Sequence, residues 1–212
     1  MRRVTARVVA GTRSGTASTL SDALRSTLLD VARLSILSAV HATAAREPRA
    51  EAYPLPLRAE RATFVSLHAG SELRGCCGTI EPYRPLVLDV WKSAHAAACE
   101  DRRFACVQPD ELVELELEIS VLTPLARILA DDEAALLAQL RPGIDGLYLR
   151  RGSSRATFLP KVWENLSDRE QFLRELKRKA GLDERFWSNE IEWFRYGTES
   201  FGGPFATETT CH

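Results

Sequence analysis

The sequence has no long apolar run. Its uncharged stretches fall far short of the roughly 20 residues needed to cross a bilayer, so no membrane-spanning helix is expected. A dominant charge sign is missing too. Lys and Arg number 28 against 29 Asp and Glu, a net charge of −1, so no global field draws in nucleic acid or anionic lipid. Residues 1–17 carry Arg2, Arg3, Arg7 and Arg13 among small residues but lack the apolar centre of a signal peptide, and they read as a flexible basic arm. Neither a phosphate-binding glycine loop nor a dinucleotide fingerprint is present. No CxxC, HExxH or paired-histidine spacing supports a metal, and no cysteine spacing supports an iron–sulfur cluster, so neither metal nor cofactor is expected. The five cysteines are an odd number with no framework spacing. Adjacent Cys76 and Cys77 would strain a mutual bridge, and reduced thiols in a cytoplasm are the reading that follows.

What is present describes a globular chain. Its 212 residues are 45% hydrophobic and 27% charged, enough to bury a core without a metal or disulfide. Residues 18–45 place Leu24, Leu28, Val31, Leu34, Leu37 and Val40 or His41 at steps of three and four, a long amphipathic helix. Three prolines make 46–57 a loop. Residues 62–80 read as a hairpin, and 85–100 as an alanine-rich helix opening on Pro85. In 113–122 apolar residues alternate with Glu114, Glu116 and Glu118, a strand with one buried and one wet face. A short helix at 131–140, a hairpin around Gly152 at 147–160 and a helix at 167–182 follow. Ser167 and Glu170 stand at capping-box spacing in that last helix, and Gly181 ends it. Residues 190–201 close with a strand. Without a regular βαβ repeat, the class is α+β with mainly antiparallel sheet.

The stretch LRGCCGT, 73–79, raises a question, because two glycines weaken a strand that already lacks packing volume. Strict alternation puts Leu73, Gly75, Cys77 and Thr79 on one face and Arg74, Cys76 and Gly78 on the other. Cys77 would then be core, where a thiol acts as a small hydrophobe. Cys76 would lie roughly 7 Å from Arg74 at Cα, a range at which a guanidinium favours thiolate. The glycines would admit a ligand or a second backbone. The plain alternative is two buried cysteines in a glycine-kinked strand.

LRGCCGT resembles the LRGCIGT signature of the AMMECR-one domain family. DRRF (101–104), PDELVELELEISVL (109–122), GLYLRRG (146–152), FLP (158–160), FLRELKRKAGL (172–182) and YGTESF (196–201) continue the resemblance in order. It implies a domain over 18–201, with a tail at 202–212, built as two α+β lobes with a groove between them and the LRGC segment turned toward it. It also implies a place in the AmmeMemoRadiSam set, beside a Memo-type protein and a radical SAM enzyme, with no reaction firmly assigned. On matching positions Arg74, Gly75, Cys76, Gly78, Thr79, Asp101, Arg103 and Phe104 carry over. Asp145 stands where the family often has histidine, Cys77 where it has an aliphatic residue, and SFGGP lacks an acidic residue common after the last strand.

Two functional readings follow. In one the chain is an enzyme or enzyme component with Cys76 as nucleophile or carrier, Arg74 as activator, and His68 or His95 as base. In the other it is a binding module for a small anionic ligand, a nucleotide-like substrate or a partner peptide, with Arg74 and Lys161 as contacts. A nucleic-acid variant of the second would use Trp163, Trp187 and the basic end of the 167–180 helix. Nothing in the motifs favours it, and the glutamates of 114–118 oppose it.

Overall fold

The computed structural model describes residues 19–43 and 45–206. The basic arm at 1–17 and Cys211 lie outside them. In chain order the helices are α1 (Asp22–Val40), α2 (Leu55–Arg58), α3 (Leu86–Cys99), α4 (Glu133–Gln139) and α5 (Arg169–Lys179). The strands are β1 (Thr63–Ala69), β2 (Glu72–Gly78), β3 (Leu115–Leu122), β4 (Ala126–Ile128), β5 (Gly146–Arg151), β6 (Ser154–Phe158), β7 (Glu192–Tyr196) and β8 (Thr198–Pro204). They form two four-stranded sheets, ordered β2-β1-β3-β8 and β4-β7-β5-β6, with antiparallel neighbours throughout. The class is α+β.

Each sheet has its own core. Val65 and Leu67 of β1 and Leu117, Ile119 and Val121 of β3 turn inward against α1 and α3, because alternate side chains share a face. The second sheet buries Leu147, Leu149 and Trp193 against α4, α5 and Trp163. A third cluster joins the two, with Ala62 and Leu122 meeting Tyr148 and Tyr196. The chain passes between sheets at two points that bond to each other. Thr123 N donates to Gly197 O at 2.9 Å and Gly197 N to Thr123 Oγ1 at 2.8 Å.

Several boundaries differ from the sequence reading, each for a local reason. In α1, Leu34 and Leu37 are exposed at 53% and 37%, and Ala32, Ser35 and Ile36 occupy the buried arc instead. Strand β3 starts at Leu115, because Glu111–Glu114 forms a 3-10 turn that leaves Val113 exposed. Helix α5 is capped by the Asp168 carboxylate, which accepts from Gln171 N at 2.7 Å, one residue beyond the expected Ser167. The closing strand is two strands, β7 and β8, split at Gly197 and belonging to different sheets. Residues 202–204 belong to β8, which runs to Pro204, and Phe205 is buried in the first core.

Candidate functional site

Strand β2 is an edge strand, and its register decides what each LRGCCGT residue faces. Cys76 pairs with Ser66 and Gly75 with Leu67, but Leu73 pairs with His68, so Arg74 is an extra, bulged residue. The bulge reverses alternation. Leu73 joins Cys76, Ser66 and His68 on one face, not Cys77 as strict alternation requires. Gly75 and Cys77 keep the opposite face, against Leu67 and Val65 of the first core.

The glycines have packing roles. A Cβ on Gly75 would collide with the Ala97 carbonyl of α3, and one on Gly78 with Thr63 O and Phe64. Gly75 is what lets α3 sit down on the strand, so close backbone approach is real but the partner is a helix of the same chain.

Arg74 does not serve Cys76. Its guanidinium bonds the Glu111 carboxylate at 2.7 and 3.0 Å and Ala105 O at 3.0 Å. The groups that bear on the Cys76 thiol come from elsewhere. Ser66 Oγ donates to Sγ at 3.3 Å. Asp101 accepts the Cys76 backbone N–H at 2.9 Å and holds Arg103 in a bidentate pair at 2.9 and 2.6 Å. Lys179, at the end of α5 in the other half of the molecule, is anchored to Thr157 O at 3.0 Å. Burial pushes the Cys76 thiol above its ordinary range, and Asp101 adds to that, while Ser66, Arg103 and Lys179 pull it down. Burial wins, so the thiol is protonated at neutral pH. The hydrogen bonds from Arg103 hold the Asp101 carboxyl far below the usual carboxylate range. Ser66 and Lys179 are the residues that sequence reasoning missed. Ser66 is reached only through strand register, and Lys179 reads in sequence as a helix-end cation.

The remaining expected site residues scatter. His68 lies on the Cys76 face and lines a groove of about 850 Å³ with Ser66, Glu116, Glu118, Lys161 and Asn165. The wet face of β3 is thus the groove floor, and Glu118 pairs across it with Lys161 at 3.0 Å. Thr79 is on the core side, donating to Asp89 Oδ2 at 2.9 Å. His95 is on α3, 3.5 Å from Glu100. Asp145, 1% exposed, accepts from Arg141 N, Nε and Nη2 at 2.6–3.2 Å and offers no free acid. Its role is to tie a turn.

The cysteines also depart from expectation. Cys99 and Cys106 form a disulfide, not two thiols, and it closes the loop that carries Asp101 and Arg103. Cys76 and Cys77 are free. Cys77 is half-buried, not fully covered, and burial with Asp101 and Cys76 pushes its thiol up to about 11. Among the described residues no group of three or more His, Cys, Asp or Glu is arranged to hold a metal ion, and no helix is long and apolar enough to cross a membrane.

The AMMECR1 family profile matches residues 29–201. A protein of Methanothermobacter thermautotrophicus is 35% identical over 178 residues, covering 82% of this chain and 92% of its own. One from Thermotoga maritima is 34% identical over 154 residues, covering 71% and 83%. The fold resembles the crystal structure of an uncharacterized protein from Pyrococcus horikoshii, with a TM-score of 0.80 and 29% identity over 89% of this chain and 96% of that one. The family match, the relatives and the fold agree: this chain belongs to the AMMECR1 family.

Proposed function

We propose that this protein is an enzyme component in which Cys76 is the nucleophile, or the carrier of a small electrophilic intermediate. One observation carries the reading: a hydroxyl from β1, a guanidinium from the loop after α3 and an ammonium from α5 bear on a single thiol. Those three groups favour sulfur only as an anion. Loss of the proton to solvent or to a base brought by the substrate gives a thiolate that Ser66 donates to and two cations neutralise. That sulfur forms a bond to an electrophilic carbon, and the leaving group departs with its bonding pair. His68, on the same face, lies beside the path a groove-bound substrate would take. The site is cytoplasmic in this reading. The free thiols Cys76 and Cys77 favour that location, and the Cys99–Cys106 disulfide weighs against it. A Memo-type protein and a radical SAM enzyme are the proposed partners, on the strength of family resemblance alone.

The second reading, a binding module, is favoured by the raised thiol pKa. With sulfur neutral, Arg103 and Lys179 would hold an anionic ligand instead. Cys76→Ser separates the two in an assay containing the two proposed partners. Loss of turnover with a folded protein supports the thiol chemistry, whereas full activity leaves the binding module.

A further inference from the structure

On the opposite side of β2 from Cys76, a cavity of about 740 Å³ opens beside α3, with Cys77, Gly78 and Thr79 along one wall. Two features of it are unexplained by folding. Ser93 is 3% exposed, lines the cavity, and its hydroxyl has no hydrogen-bond partner. A buried hydroxyl left unpaired forfeits its hydration with no return, so its retention asks for a ligand. The second feature is Arg84. Its Nε donates to Asp89 Oδ1 at 2.7 Å, and it stacks on Tyr83 at 4.5 Å. Among the described residues its two terminal nitrogens make no hydrogen bond. Asp89, 1% exposed, spends its other oxygen on Thr63 N, Thr63 Oγ1 and Thr79 Oγ1 at 2.7–2.9 Å. A buried carboxylate therefore fixes the guanidinium plane from behind and leaves the outward fork free, the geometry that binds an oxyanion in two places.

Ser93 stands one helical turn after Asp89, the carboxylate that holds Arg84, and both Ser93 and Arg84 line the cavity. The backbone adds a donor. The Cys76 amide points off the open edge of β2 to Asp101, and the Gly78 amide, two residues along, points off the same edge. Of the rim carboxylates, Glu47 is paired with Lys92 and Glu100 lies 3.5 Å from the His95 ring.

We propose that this cavity binds the oxyanion of a small ligand, a carboxylate or a phosphate, through Arg84, Ser93 and the Gly78 amide. The site is separate from Cys76 and stands or falls independently of the thiol chemistry. Cys77 reports on it, because it lines the cavity, and Cys76 is the internal control. With the full chain at about pH 9, where iodoacetamide reacts at a measurable rate, inorganic phosphate and acetate are titrated and each cysteine is followed by mass mapping. The expected result is about tenfold slower alkylation of Cys77 at saturation with Cys76 unchanged, since a ligand held at two points excludes reagent from the wall it covers. The stronger of the two ions assigns phosphate or carboxylate. Ser93→Ala should fold at least as stably, because it deletes an unpaired polar group, and should raise the half-protecting concentration about tenfold. Arg84→Lys should do the same or more by losing the fork. If neither ion slows Cys77, if chloride at matched ionic strength protects it equally, or if Ser93→Ala is protected like the parent, the site is not there.

Discussion

Sulfur in a strand answers to whichever charges the neighbouring elements bring to it, and around Cys76 those are Arg103 and Lys179, not Arg74. The alkylation rate of Cys76 should therefore rise with a midpoint above that of an ordinary thiol, because burial raises its pKa. Lys179→Met should move that midpoint higher still and slow the reaction at neutral pH, since one thiolate-favouring charge is gone. Arg74→Ala should leave the Cys76 rate as it is. It should instead cost about 1–2 kcal/mol in urea unfolding, because Glu111 loses both its charged hydrogen bonds. A slowed thiol in Arg74→Ala, or an unmoved one in Lys179→Met, would contradict this assignment of charges.

The element that matters most is β2 with α3 laid upon it. Gly75 is there because the Ala97 carbonyl occupies the space a Cβ would need. Gly75→Ala should push α3 off the strand and cost about 3 kcal/mol, the upper end for overpacking. It should also accelerate Cys77 alkylation, since that thiol packs at the same interface. Stability within experimental error of the parent would show that the helix has room to shift. In the second core the Phe172 ring is stacked at 3.7 Å on Trp163 and is fully buried. Phe172→Ala is expected to cost about 3–5 kcal/mol by thermal or urea melting, because it removes a buried ring and leaves a cavity in the second core.

Across the whole molecule, stability should fall away on both sides of neutrality, through different groups. Asp101 and Glu111 have folded pKa values below their ordinary ones. Their contribution is present above the usual carboxylate range, near pH 4, and is lost as pH falls from there through their depressed folded values. Cys76 and Cys77 are shifted the other way, so the fold favours the neutral thiol. That contribution is intact below the ordinary thiol range and is lost as pH rises, through about 11 for Cys77. Unfolding free energies measured in acid should decline less steeply in Asp101→Asn than in the parent. Parallel acid slopes would mean that the Asp101–Arg103 pair adds nothing specific to folding.

Most elements were legible in the sequence, because periodicity reports burial directly. The alternation of β3, the existence of helix α1 and the two hairpins follow from which positions must leave water, though the buried arc of α1 is rotated from the leucine stripe. The LRGCCGT stretch was enough to mark a place in the molecule and a family. What it could not reveal was orientation. A single bulge at Arg74 turned Leu73 to the other face, and strand alternation carries no sign of a bulge until the partner strand is in register. The same limit hid Ser66, ten residues from Cys76, and Lys179, more than a hundred away, for charges act through space and not along the chain. It also hid the split of the last strand between two sheets, which depends on the bonds between Gly197 and Thr123. The sequence by itself determined which segments fold and which residues are unusual. Tertiary packing alone decided which charges meet the thiol, because that depends on how two sheets and the ends of two helices come together.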